Sequence, residues 1–152
     1  MKGAGRTVAV LVVIMLAGVA CGGSGGKAAT QTSTPSSAAS GEGCPASAPL
    51  PTPASDHGAA TATGSAVSIE ANDFFFAPTC VTNLSAGSVT LSVHNGGQAL
   101  HNVTIESLGI DKGVPAGQTV TVMVEMGTSP LPFVCKYHRT SGMVGALLPP
   151  GR

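Results

Sequence analysis

From Ser65 onward, apolar and polar positions alternate with a period of two. Val67, Ile69 and Ala71 alternate with Ser68, Glu70 and Asn72; Val89, Leu91 and Val93 with Thr90, Ser92 and His94; Val120, Val122 and Val124 with Thr119, Thr121, Met123 and Glu125. Successive side chains on a strand point to opposite faces, so each stretch predicts a half-buried antiparallel strand. Turn residues part them at Ala86-Gly87, Asn95-Gly96-Gly97, Pro115-Ala116-Gly117 and Gly127-Thr128-Ser129-Pro130. That spacing predicts an all-β fold, a small β-sandwich with Greek-key connections. His94 falls on the polar face of its strand and is expected to be exposed and structural. Phe74-Phe75-Phe76 cannot share one strand face, so some of the three are expected to fill the open end of the core.

Upstream of Ser65 the alternation stops. Gly22 to Gly64 is crowded with Gly, Ser, Thr, Ala and Pro and holds almost no large apolar side chain. Such a stretch cannot bury enough surface to offset chain entropy, and it is expected to be a disordered linker with a span of about 35 Å. His57, beside Asp56, is expected to be solvated there. Before the linker, Lys2 and Arg6 precede an apolar run from Val8 to Ala20. That run is short of the roughly 20 residues a spanning helix needs, so residues 1–20 read as an export signal. The junction Ala17-Gly18-Val19-Ala20-Cys21 resembles a bacterial lipoprotein cleavage site, with Cys21 as the lipid-bearing residue. Gly18-x-Ala20 also satisfies an ordinary signal-peptidase site. The expected location is therefore the extracytoplasmic face of a cell membrane, held by lipid, with a freely secreted form as the alternative.

Composition narrows the function classes. The chain has 152 residues, 9% of them charged, with seven basic and seven acidic side chains and no Trp. There is no basic stripe or aromatic platform for nucleic acid. Residues 65–152 carry four basic side chains (Lys112, Lys136, Arg139 and Arg152) against five acidic ones, so long-range steering of a partner is weak.

The chemistry concentrates between Pro132 and Pro149. Cys135, His138 and Met143 stand at the spacing Cys-x2-His-x4-Met, led in by Leu131, Phe133 and Val134 and led out by Val144, Ala146, Leu147 and Leu148. The three groups therefore sit on a short loop between two strands. A soft thiolate, an imidazole and a thioether favour copper over zinc, because zinc sites rarely use Met whereas mononuclear electron-transfer copper sites use two His, one Cys and a long axial Met. His101, at the expected start of a strand after the turn Asn95-Gly96-Gly97-Gln98, can supply the second imidazole.

His101-Asn102 followed by Cys135-x2-His138-x4-Met143 resembles the plastocyanin-like cupredoxins, the type 1 or blue copper proteins, over residues 65–149. The resemblance implies one mononuclear type 1 copper site held by His101, Cys135, His138 and Met143. It implies a one-electron carrier rather than an enzyme, with a redox partner protein, membrane-associated here, and no small-molecule substrate. Asn102 is implied to tie the ligand loops together, and the His138 edge to be the electron port. The loop departs from the commonest pattern. Lys136-Tyr137 stands where a Pro usually precedes the His, and Arg139-Thr140-Ser141 where small uncharged residues are common. These departures alter the surface beside the metal, where Lys136 and Arg139 are expected to offer local positive contacts.

Two questions stay open at this level. With Cys21 assigned to lipid and Cys135 to copper, Cys44 and Cys80 remain as an even pair in an oxidising compartment. Joined, they would pin the linker to a domain whose core is small; the alternative is a buried free Cys80 and an idle Cys44. The second question is role, since a copper storage, delivery or sensing lipoprotein would carry the same ligands. Such a protein more often shows further surface Met or His ligands, and Met123 and Met126 are the nearby candidates.

Overall fold

The structure, a computed structural model, describes residues 37–40 and 42–151. The expected signal segment and Cys21 lie outside the described residues. Among the described residues, eleven strands form two sheets. They are β1 (Ser37–Ser40), β2 (Ala59–Ala62), β3 (Ala66–Asn72), β4 (Phe75–Ala77), β5 (Cys80–Thr82), β6 (Gly87–Asn95), β7 (His101–Ile105), β8 (Ile110–Val114), β9 (Thr119–Met126), β10 (Leu131–Val134) and β11 (Val144–Leu147). One sheet runs β1-β2-β5-β11-β10-β7-β8 and the other β4-β3-β6-β9. Because the chain leaves the second sheet after β4, adds β5 to the first and then returns, β3 and β6 pair in parallel while β6 and β9 pair antiparallel. The β-sandwich expected from the alternation is the fold observed. Among the described residues no helix is long and apolar enough to cross a membrane.

The inward faces are those the period-two pattern marks. Val67, Ile69 and Ala71 of β3, Val89, Leu91 and Val93 of β6, and Val124 of β9 are buried in one cluster with Val103, Ile105, Phe133 and Leu147 from the facing sheet. Val120 and Val122, nearer one end of β9, are only partly buried. The three phenylalanines divide. Phe76 is fully buried and meets Phe133 edge-on at 5.1 Å, Phe75 stacks on His57, and Phe74 is exposed. Burying one such ring contributes about 1.5–3 kcal/mol, so only Phe76 of the three carries core stability.

The folded unit begins before Ser65. Ala59–Ala62 pairs in parallel with β5 and in antiparallel with β1, and Ala60 and Ala62 are buried. Cys44 and Cys80 form a disulfide with an S–S distance of 2.00 Å. The backbone N–H groups of Cys44 and Gly58 both donate to the Asp56 carboxylate, and the Ala59 N–H donates to the Glu42 carbonyl. The segment 42–58 is thus a strap laid on the sandwich, and the linker expected through Gly64 is shorter than composition indicates. Small side chains hide the strand signal here, and the strap's ordering comes from a cross-link and backbone hydrogen bonds that composition does not register. His57 is exposed, as expected, but not free: its ring stacks on Phe75 at 3.6 Å and its backbone N–H donates to the Thr79 hydroxyl.

Candidate metal centre

Two elements bring the ligand candidates together. His101 is the first residue of β7, and the turn before it is fixed by Asn95. The buried Asn95 side chain accepts from Gly97 N–H and donates to the carbonyls of Ala99 and Val114, all within 2.9 Å. Cys135 follows β10 directly, and its N–H donates to the Met143 carbonyl at 3.0 Å, extending the β10–β11 ladder by one rung. Between those residues the Cys135 carbonyl accepts from His138 N–H, and the His138 carbonyl accepts from Ser141 and Met143 N–H. A 3-10 turn, Arg139–Ser141, closes on Gly142 at φ +87°, a conformation that favours glycine. The Gly142 carbonyl accepts from Ser55 N–H at 2.9 Å, and a Cβ at Gly142 would stand 2.9 Å from that same nitrogen. The strap therefore reaches the ligand loop itself.

The result is a compact donor set. His101 Nδ1 lies 3.1 Å from His138 Nδ1 and 3.9 Å from Cys135 Sγ, and His138 Nδ1 lies 3.5 Å from the same sulfur. Bonds of about 2.0–2.3 Å from imidazole and thiolate to one ion in their plane would space the donors about 3.5–3.8 Å apart. The observed gaps are on that scale, so the three residues fit a single metal ion. His101 and Cys135 are fully buried and His138 is partly exposed. Met143 is also fully buried, in the same cluster as Cys135. A thiolate with two imidazoles suits copper, and a thioether from Met143 would extend that donor set to both of its common oxidation states.

The electrostatics agree with ligation. Burial, reinforced by neighbouring His101, holds His138 below the usual imidazole value, which favours the neutral form that binds metals. His101 Nε2, on the far side of the ring, meets Asp73 Oδ1 at 3.0 Å. Asp73 is kept below the usual carboxylate range mainly by backbone N–H groups of Gln98 and then Ala99. Asn102 ties the two ligand segments together: its Oδ1 accepts from Lys136 N–H at 2.7 Å, and its Nδ2 donates to Thr104 Oγ1 and Asp111 Oδ1. The contact that orders His101 comes from Asp73, not from Asn102. Asp73 stands in the two-residue turn between β3 and β4, and no sequence signal marks it.

The surface beside the site differs from expectation. Lys136 pairs with Asp111 at 2.6 Å and Arg139 with Glu106 at 3.2 Å. The hydrogen bond between the first pair pulls Asp111 down and pushes Lys136 up. Each basic group near the site is thus matched by a carboxylate, and neither is the free positive contact the loop sequence predicts. Beside these exposed ion pairs stand the exposed apolar or aromatic side chains Phe74, Leu100 and Tyr137, with the Phe74 ring 4.4 Å from that of His138. His94, paired with Glu70 at 2.7 Å, lies exposed on the outer face of β6 and takes no part in the site.

Comparison with known proteins adds three findings. A family model described as "Cupredoxin-like domain" matches residues 49–148, beginning inside the segment that composition reads as linker. No curated protein matches the chain by sequence. Among solved structures, the chain is similar to the metal binding domain of the Cu(I) exporting P-type ATPase CopA of Streptococcus pneumoniae D39, at 11% identity over 65% of this chain and 92% of that one, TM-score 0.48. It is also similar to auracyanin B, at 16% identity over 57% and 88%, TM-score 0.47. Auracyanin from the photosynthetic bacterium Roseiflexus castenholzii aligns at 13% identity over 59% and 98%, TM-score 0.47.

Proposed function

The chain belongs to the cupredoxin-like family, and on that premise we propose that it is a type 1 copper protein that carries single electrons at the extracytoplasmic face of a bacterial membrane. The observation that carries the reading is the convergence of His101 Nδ1, His138 Nδ1 and Cys135 Sγ within 4.8 Å of one another, with His101 and Cys135 buried. Copper bound there would supply a one-electron couple. Everything else is the work of the chain. His101, Cys135 and His138 would hold the ion and Met143 would offer a thioether, a donor set that suits both oxidation states of copper. Backbone hydrogen bonds from Cys135 to Met143 and from Met143 to His138 hold the loop, so rearrangement on electron exchange is small.

His138 is the ligand nearest solvent, and Phe74, Leu100 and Tyr137 give its surroundings an apolar rim. A partner protein that docks on this rim is brought to the imidazole edge. Its attraction is short-range because the neighbouring charges are paired. In this reading residues 1–20 are the export signal, Cys21 carries lipid, and the segment up to the strap is the tether. The tether raises the effective concentration of membrane-bound partners. A delivery or storage role is less favoured, because Met126 is buried at the end of β9 paired with Gly87 and Met123 pairs with Thr90, both away from Asn95 and the ligand turn.

The test is direct. Copper(II) added to the purified chain is expected to give an intense visible thiolate-to-copper band and a reversible one-electron voltammetric wave. No band would overturn copper ligation by Cys135. A band with no reversible wave, together with ready transfer of copper to a metal-free acceptor, would replace the carrier with a delivery protein.

A further inference from the structure

Resting on the copper reading above, we propose that Asp73 is a positioning residue for His101: its carboxylate fixes Nδ1 as the ligating nitrogen and biases the centre toward copper(II). The two ring nitrogens of His101 have different surroundings. Nδ1 faces His138 and Cys135, whereas Nε2 meets Asp73 Oδ1 at 3.0 Å. A carboxylate only accepts, so Nε2 carries the proton and Nδ1 keeps its lone pair toward the donor set. The ring is fully buried and makes this contact on the side away from the other ligands.

Asp73 is held for the task by the turn that leads into β7. Gln98 N–H donates to Oδ2 at 3.0 Å and Ala99 N–H donates to Oδ1 at 3.2 Å. The approach depends on Gly97. A Cβ there would stand 2.3 Å from Asp73 Oδ1 and 3.1 Å from His101 Nε2, so any larger residue drives the carboxylate and the imidazole apart. Asp73 follows β3 in one sheet while His101 opens β7 in the other, so the contact also fixes the metal-bearing ends of the two sheets to each other. Chemically, an anion on the outer N–H makes the imidazole a stronger donor. It also places negative charge near the ion, where copper(II) gains more than copper(I). A neutral acceptor in the same place would orient the ring without that bias.

The two effects separate in Asp73→Asn and Asp73→Ala, made in the full chain. Nitrogen NMR of the metal-free protein reads the His101 tautomer, and voltammetry of the copper form reads the potential. Asp73→Asn keeps an oxygen acceptor, so the tautomer is expected to hold while the potential rises. Asp73→Ala is expected to lose the single tautomer as well and to weaken copper(II) binding about 10- to 100-fold. Each tenfold loss of copper(II) affinity relative to copper(I) appears as a potential about 59 mV higher. Gly97→Ala, which leaves the carboxylate in the chain but displaces it, is expected to follow Asp73→Ala. If Asp73→Ala does not fold, Asp73→Asn, which preserves shape, carries the test. Variants that match the parent in both tautomer and potential would overturn the inference. A parent without the thiolate-to-copper band would instead overturn the copper reading, and the metal-free tautomer would still report on Asp73.

Discussion

The Ser55 N–H donates to the Gly142 carbonyl at 2.9 Å, linking the strap directly to the loop that carries His138 and Met143. Through this bond a segment with the composition of a linker acquires a part in the centre. Its anchor is the Cys44–Cys80 disulfide, which closes a sequence separation of 36 residues.

Breaking that anchor should therefore cost stability and metal retention together. Cys44→Ser with Cys80→Ser is expected to lose about 3–4 kcal/mol by loop entropy, an upper figure because strain and residual structure reduce it. Thermal melts should fall by on the order of 10 °C. A chain begun at Ser65 lacks β2 as well and should be less stable still. Equal melting temperatures would show that the strap is an ornament.

The ligands separate by their effect on the spectrum. Cys135→Ser should abolish the thiolate-to-copper band. Met143→Leu should keep the band and raise the potential, since losing a weak axial donor destabilises copper(II) more than copper(I). The second change nearly conserves volume, so its stability cost should stay below about 1.5 kcal/mol. An unchanged spectrum in Cys135→Ser would remove the sulfur from the site.

Asn102 is buried and holds Lys136 N–H, Thr104 and Asp111 at once. Asn102→Ala leaves partners of a buried group unsatisfied and should cost about 1–3 kcal/mol in denaturant unfolding. It should also broaden the copper spectrum, because the Cys135-Lys136 segment loses its tie to β7. A variant as stable as the parent would show that water replaces the amide without loss.

The metal-free protein should weaken in acid in two windows. His138 has a folded pKa below its ordinary value of about 6.5, so the unfolded chain binds more protons between the two values and stability falls as pH drops through that interval. Asp73 is likewise depressed, so its contribution is present above about 3.8 and is lost as pH falls through its folded value. His138→Gln should remove the upper window and leave the lower one. Melting temperature against pH, with and without that change, checks both signs.

Electron exchange with a membrane-bound partner should respond only modestly to salt, because Lys136 and Arg139 are each paired with a carboxylate. Removing residues 1–36 should slow it at low protein concentration by releasing the tether. A steep salt dependence would point to a charged docking face elsewhere.

The proposed ligand set was legible in the sequence because Cys135, His138 and Met143 share one loop, and the strand faces because alternation at Val67, Ile69, Val89 and Leu91 reports them without any knowledge of the partner strand. Asn102 was legible only through its place beside His101. The strap, the disulfide, the pairing of Lys136 with Asp111 and the contact of Asp73 with His101 were decided by tertiary structure. The last three join residues 25 or more positions apart, by a hydrogen bond, ion pair or cross-link that leaves no local period. Local pattern records which face of a strand meets the core; which carboxylate on one sheet meets an imidazole on the other depends on how the two sheets are stacked.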